Sequence, residues 1–159
     1  MKKYGLLLVL AVLFASCDQK KEQKKDSFER TRVDQEATAE KDPVVVPVDL
    51  DNKGIGPIQS YKFTEEINFE MATAGEGLYN AKCAQCHMAE TIMIGPPMAG
   101  IYERRSPEWV INLLLNPTQM LKEDPIAIAL LKKYNNILML NQNLTQEEAR
   151  AISEYLRTL

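Results

Sequence analysis

The fold of this chain is decided by five consecutive residues, Cys83-Ala84-Gln85-Cys86-His87. The two cysteines are three residues apart, so on a helix their sulfurs would lie on one face. The histidine follows four residues after the first cysteine and would come to the same side. The spacing therefore brings two thiols and one imidazole together at a single place.

Two cysteines at this spacing, followed directly by a histidine, are the signature of c-type haem attachment. Both sulfurs can form thioethers with the two vinyl groups along one side of a porphyrin. His87 can then bind the iron as its proximal ligand. The motif predicts one covalently bound haem c, held by Cys83, Cys86 and His87.

Three other interpretations of the motif are open. A thiol-disulfide oxidoreductase also uses a Cys-x-x-Cys pair, but the pair usually follows a strand in a βαβ pattern, which this sequence lacks. A structural zinc site needs four ligands, so a carboxylate would have to complete the two thiols and single histidine. The third is a disulfide-bonded turn beside an ordinary core histidine.

The sixth iron ligand has to come from a residue other than histidine, because His87 is the only histidine in the chain. Methionine is the usual choice in an electron carrier, since a soft thioether favours ferrous iron. Met98 and Met120 are far enough from His87 along the chain to be candidates. We predict Met139, which lies on a loop shortly before the last helix. An open sixth position would instead make the protein a haem sensor or small-molecule binder.

A compact all-α unit is predicted over residues 71–159, with about four short helices and no strand alternation. The first helix spans about residues 72–86. The second is capped by Ser106 and stops at Asn116-Pro117, and the third is capped by Asp124. The last begins at Thr145 with a capping box. Such a small unit has a thin core, so a large apolar cofactor is expected at its centre.

Residues 1–16 have the pattern of an export signal. Lys2 and Lys3 precede an apolar run over residues 6–14 that is too short to span a bilayer. The small pair Ala15-Ser16 stands before Cys17, which resembles the lipobox of bacterial lipoproteins. We therefore predict an acylated Cys17 and a protein anchored to a membrane on the periplasmic side. The alternative is an ordinary signal peptide that leaves Cys17 as a chance thiol.

Residues 17–70 are predicted to be a lipid-anchor site and linker. Their first half is polar and lacks apolar periodicity, so we expect disorder there. Their second half, with four valines and two prolines at residues 43–48, favours an extended segment that lies against the domain without belonging to its core. The net charge is −3, with basic residues leading at 17–32 and acidic ones at 33–70. Neither run forms a nucleic-acid surface.

Residues 71–159 resemble a class I cytochrome c. Gly75 and Tyr79 match the glycine and aromatic of that family's first helix, and Ile152 and Tyr155 match their partners on the last helix. The resemblance implies a cytochrome c fold around one haem. It also implies a monomeric electron carrier that is not an enzyme.

The same resemblance implies roles for further residues. The segment at residues 95–100 is similar to one in which a proline carbonyl accepts the N–H of the proximal histidine, which would be Pro96 here. Met139 occupies the place of the axial methionine. Arg104 falls where some members place an arginine near a haem propionate, with Arg105 as its competitor.

A narrower resemblance concerns two short strings. The Gly-Ile-Gly-Pro stretch at residues 54–57 and the stretch at residues 139–145 are similar to small cytochromes associated with bacterial nitrous oxide reductases. This resemblance implies redox protein partners in respiration, such as a reductase or an oxidase.

Overall fold

Five α-helices and one short 3₁₀-helix form within residues 44–159, the part of the chain that the computed structural model describes. No strand forms in this range, and the one β-bridge joins Asp49 to Arg105. The all-α prediction is therefore confirmed. The predicted signal sequence, Cys17 and the first part of the predicted linker lie outside the described residues. The helices are α1 (Phe69–Lys82), α2 (Pro107–Leu115), α3 (Pro117–Glu123), α4 (Pro125–Lys133) and α5 (Gln146–Leu156), with the 3₁₀-helix at Ile101–Glu103 before α2.

Local capping starts α2, α4 and α5 where the sequence predicted. Ser106 accepts a hydrogen bond from the backbone N–H of Trp109, and Asp124 accepts one from Ala127. Thr145 and the residue three positions later form the reciprocal capping box. These bonds join residues three apart, so their positions can be predicted from the local sequence.

Two helix boundaries differ from the prediction. The first helix begins earlier, at Phe69 with Asn68 as its N-cap, and it ends at Lys82 instead of continuing to Cys86. The Asn116-Pro117 pair was predicted to end a helix, and it does so, but Pro117 also opens the additional helix α3. Proline suits the first position of a helix because its missing N–H would have no partner there.

Helices α1 and α5 cross closely at Gly75. A side-chain carbon at this position would run into the backbone carbonyl of Ala151. Further along the crossing, the rings of Tyr79 and Tyr155 lie 5.2 Å apart between centroids. The pairing of these residues agrees with the one implied by the resemblance. Beside the crossing, Ile152 is fully buried in the core.

An extended segment over residues 44–68, here called the strap, packs against the helices. Its Ile58 is only 6% exposed and belongs to the hydrophobic core, although the sequence analysis expected the segment to stay outside it. The fully buried Asn112 of α2 holds this part of the strap. Its side-chain amide donates to the carbonyls of Lys53 (2.9 Å) and Ile58 (2.8 Å), and its oxygen accepts from the Ile58 N–H (2.9 Å).

Other side chains on the helices hold the remainder of the strap. The side chain of Asn52 donates to Asp124 at 2.8 Å, so the residue that caps α4 also binds the strap. The N–H of Tyr61 donates to Glu108 of α2 at 2.9 Å. The strap is thus joined to helices that lie more than forty residues further along the chain.

None of the helices within residues 44–159 is both long enough and apolar enough to cross a membrane.

We predict that Asn112→Ala lowers the free energy of unfolding by about 2–4 kcal/mol, because three backbone groups of the strap lose their partner in a buried place. Chemical denaturation of the purified protein measures this. Gln59→Ala is the control, since Gln59 is an exposed amide on the same strap. It should change the stability by less than about 0.5 kcal/mol. Equal effects of the two substitutions would contradict the role assigned to Asn112.

Candidate functional site

The Cys-x-x-Cys-His motif lies in a turn directly after α1. Cys83 is the C-cap of the helix, and its carbonyl accepts from the N–H groups of both Cys86 and His87 at 3.0 Å. The carbonyl of Cys86 in turn accepts from Gly95 at 2.8 Å. The two cysteines therefore reach the same cavity through this turn and not through a shared helix face. Cys83 is buried, Cys86 is exposed, and the two are not joined by a disulfide.

The imidazole of His87 is oriented by two neighbours. Its Nδ1 lies 3.0 Å from the carbonyl oxygen of Pro96, the partner that the resemblance implied. When Nδ1 donates to this carbonyl, Nε2 keeps its lone pair and is the nitrogen able to bind a metal. Gly95 packs against the ring so closely that a side-chain carbon there would overlap it.

The hydroxyl of Tyr79 supports the same residue from α1. It donates to the backbone carbonyl of His87 at 2.9 Å, and the ring is 5% exposed. Burial raises the pKa of Tyr79 to about 12, so the hydroxyl stays protonated and remains a donor. The sequence indicated this tyrosine only as a packing residue.

A cavity of about 390 Å³ adjoins the motif. Cys83, Cys86 and His87 line it together with Met139. Its remaining walls are mostly apolar and come from α2, α3, α4 and the loop after α4. They include Leu113, Leu114, Leu121, Ala127, Leu130, Leu131, Ile137, Leu138, Leu140 and Leu144. A second cavity of about 80 Å³ is also lined by Cys83, His87 and Met139.

The three candidate methionines lie in different surroundings. Met139 is half-buried and lines both cavities. Met98 lines only the smaller one. Met120 is fully buried, and its sulfur accepts from the N–H of Ile55 in the strap at 2.9 Å. Of these three, Met139 alone shares the larger cavity with the motif.

The two arginines considered from the sequence are both engaged elsewhere. Arg104 donates to the carbonyls of Ala99 (3.0 Å) and Pro97 (3.2 Å). Arg105 is buried and donates to the carbonyl of Pro47 in the strap at 2.8 Å. Neither lines the larger cavity. The charged side chain that does line it is Lys82, which the sequence analysis did not single out although it directly precedes Cys83.

The surroundings do not suit the rival interpretations. Cys83, the first cysteine of the pair, does not suit the role of attacking thiol in an oxidoreductase, because burial raises its pKa and that role needs a lowered one. Within residues 44–159, no three side chains of histidine, cysteine, aspartate or glutamate come close enough to hold a metal ion. A zinc site with a completing carboxylate is therefore absent from this range.

A haem fits the residues that are present. Two sulfurs at the attachment spacing, an imidazole whose Nε2 is left free by the bond at Nδ1 and a soft thioether all line one cavity with apolar walls. Gly95 leaves room for the imidazole, which a larger residue would displace. Each group that the motif requires is thus available at one place.

Comparisons with known proteins agree with this fit. The profile of the family described as cytochrome c matches residues 72–159. The solved structure of a cytochrome c from Rhodothermus marinus is 34% identical, with a TM-score of 0.63, and the alignment covers 74% of this chain and 96% of that one. An engineered form of that protein is 33% identical, with the same TM-score and coverage. No curated protein matches the sequence.

We predict that Gly95→Ala reduces the fraction of purified protein that carries covalent haem and lowers stability by about 1–3 kcal/mol, because the added methyl group displaces the imidazole. Haem staining relative to total protein, together with thermal unfolding, measures both effects. The matched control is Gly77→Ala on α1, where an added carbon meets nothing within 4 Å. That change should leave haem content unaltered and stabilise the helix by about 0.5–1 kcal/mol. Wild-type behaviour of Gly95→Ala would show that the glycine is not needed beside His87.

Proposed function

Because the chain belongs to the cytochrome c family, with a covalently bound haem c, we propose that it carries single electrons with His87 and Met139 as its axial iron ligands and with a lipid anchor at Cys17. Electron transfer through haem is the general function of the family. The axial methionine, the anchor and the partners are the specific parts of the proposal.

The residues of the chain have separate tasks in this function. When bound, haem supplies an iron that changes between ferric and ferrous states at a potential set by its ligands and its burial. Cys83 and Cys86 would hold it covalently. His87, fixed by the Pro96 carbonyl, would donate Nε2 to the iron. The leucines of α2, α3 and α4 exclude water from the cavity, and no residue has to move a proton.

The observation that carries the ligand assignment is the position of Met139. It lines the same cavity as both cysteines and His87, while the sulfur of Met120 is already bound to the strap. Met98 lines only the smaller cavity, and Met88 is 49% exposed in the loop after the motif. A thioether on iron raises the reduction potential and prevents small molecules from binding.

We predict that Met139→Ala converts a low-spin protein that resists carbon monoxide into a high-spin protein that binds it, with a lower reduction potential. Absorption spectra of the oxidised and reduced forms, with and without carbon monoxide, measure the change. Met88→Ala is the control for loss of a methionine, and Met98→Ala tests the other cavity-lining thioether. Both should keep the wild-type spectrum. Rapid binding of carbon monoxide by the unmutated protein would favour a haem sensor with an open sixth position.

The proposed location follows from the first residues of the sequence. The lipobox-like Ala15-Ser16-Cys17 supports acylation, and cytochrome c domains are typically found outside the cytoplasm. Between Cys17 and the strap, twenty-six residues (18–43) could reach about 90 Å at most. A tether of this length would keep the domain near membrane partners and raise their effective concentration.

The proposed partners are respiratory redox proteins, a reductase or an oxidase. Contacts with them should be small, because a carrier has to leave as readily as it docks. The Gly-Ile-Gly-Pro string that suggested a nitrous oxide reductase system has a packing reason as well. Gly56 packs against Asn112 and Gly54, at a φ of 69°, packs against Met120. Electron transfer from the reduced protein to a respiratory reductase or oxidase, measured directly, tests this assignment.

We predict that the mature wild-type protein carries acyl chains on Cys17 and that Cys17→Ser abolishes them, which moves the holoprotein from the membrane fraction to the soluble fraction once its signal sequence is removed. Fractionation of the producing cells, with mass spectrometry of the mature protein, reports the anchor and the haem together. Haem content and the absorption spectrum should stay unchanged, since the cofactor site lies in another part of the chain. Acyl chains absent from the mass of the mature wild-type protein would contradict the lipid anchor and leave the haem assignment intact.

A further inference from the structure

Lys82 has an unusual position relative to the larger cavity. It is the last residue of α1, directly before Cys83, and it is half-buried. Among the described residues that line this cavity, it is the one that carries a full charge at neutral pH. A lysine next to the attachment cysteine is therefore in a position to act on the cofactor or on its ligands.

The loop that carries Met139 is held weakly by its own backbone. Asn135, Asn136 and Asn143 adopt left-handed conformations, with φ of 60°, 57° and 51°. Asparagine tolerates this region better than most residues, but it is still a sparsely populated conformation. On either side of Met139, Leu138 and Leu140 are 61% and 70% exposed. Met139 and Leu144 pack against the core, and the loop has few other contacts to hold it.

One hydrogen bond ties this loop to another element. The Nζ of Lys82 donates to the backbone carbonyl of Gln142, at a distance of 3.4 Å. Within the described part of the chain, this is the single hydrogen bond that joins residues 138–144 to anything outside the loop. A charged donor makes the bond stronger than a neutral one would be, although the distance is long.

We propose that Lys82 is a positioning residue that holds the Met139 loop in place over the cavity, an assignment that rests on the proposed function of Met139 as the sixth ligand. Gln142 is three residues after Met139, so a bond at its carbonyl restrains the end of the loop next to the thioether. The same lysine is adjacent to Cys83. It therefore links the side of the site that attaches the haem to the loop that supplies the second axial ligand.

The positive charge of Lys82 adds a second effect. A cation that lines an apolar cavity is poorly screened, and it disfavours the extra positive charge of ferric iron. Lys82 should therefore raise the reduction potential, in the same direction as the methionine ligand. Removing it should lower the potential and loosen the loop together.

The test uses the full-length, matured ferric protein with imidazole as the probe, because imidazole can bind the iron only after Met139 has left it. We expect Lys82→Leu to raise the rate of imidazole binding about three- to tenfold, which corresponds to the net loss of one hydrogen bond. Its reduction potential should fall. Lys82→Arg keeps a charged donor and should stay within about twofold of the wild-type rate.

Lys133→Leu is the matched control. Lys133 is an exposed lysine at the end of α4, and in the described structure it makes no hydrogen bond to the loop. Its substitution by leucine therefore removes the same charge without removing such a bond. It should leave the rate unchanged. Equal acceleration by both leucine variants would show that charge alone matters, and would overturn the positioning role. A wild-type rate for Lys82→Leu would overturn it as well.

Two further measurements keep the outcomes distinct. If Lys82→Leu lowers haem content, Lys82→Gln is used in its place. The glutamine side chain is shorter and should not reach the Gln142 carbonyl, so the same acceleration of imidazole binding is expected. If Met139→Ala has the wild-type spectrum, the ligand assignment itself is wrong. If that variant loses the methionine ligand while the Lys82 variants bind imidazole at the wild-type rate, only the present inference fails.

Discussion

The carbonyl oxygen of Cys83 accepts hydrogen bonds from two backbone N–H groups, those of Cys86 and His87, and these bonds end α1 in a tight turn. Because of this turn, a buried sulfur, an exposed sulfur and an imidazole all face the same cavity. The carbonyl of Pro96 then sets the orientation of the imidazole, and Gly95 leaves the space that it needs. The geometry of the cofactor site depends on how this one helix ends.

Helix α2 contacts the strap on one side and the cavity on the other. Its Asn112 faces the strap and satisfies three backbone groups there, while its Leu113 and Leu114 line the cavity. Asp124 makes a similar connection, since one oxygen caps α4 and accepts from Trp109 and the other binds Asn52. The strap therefore stabilises the helices that form the cavity walls through polar contacts that do not involve the cofactor. Such contacts are useful in a small domain whose own apolar core is thin.

The two proposed iron ligands are held very differently. His87 is bound by Pro96 through its ring and by Tyr79 through its backbone, next to two residues that attach the haem. Met139 is on a loop with left-handed asparagines and one bond to Lys82. In the proposed function, a firmly held proximal side preserves the cofactor. The loop that carries Met139 is the part of the site whose attachment to the rest of the fold a single side chain, that of Lys82, could change.

The sequence by itself determined the attachment motif, the all-α class and the starts of α2, α4 and α5, because each depends on residues at most four positions apart. It also placed Met139 before the last helix, although it left Met98 and Met120 as alternatives. Only the tertiary structure showed how the surroundings of these methionines differ. The residue of the strap that binds the sulfur of Met120, Ile55, is 65 residues away in sequence.

The packing of the strap was also decided only by the tertiary structure. Ile58 and Asn112 are 54 residues apart, and nothing in the composition of residues 44–68 indicates that a buried amide will bind them. In the same way, the bond from Lys82 to Gln142 spans 60 residues and depends on how α1 and the loop after α4 come together. Local hydrogen bonds can be predicted from the sequence because the residues that make them are a fixed, short distance apart along the chain. Long-range bonds form only after the helices have packed, so the residues that make them carry no signal in the sequence.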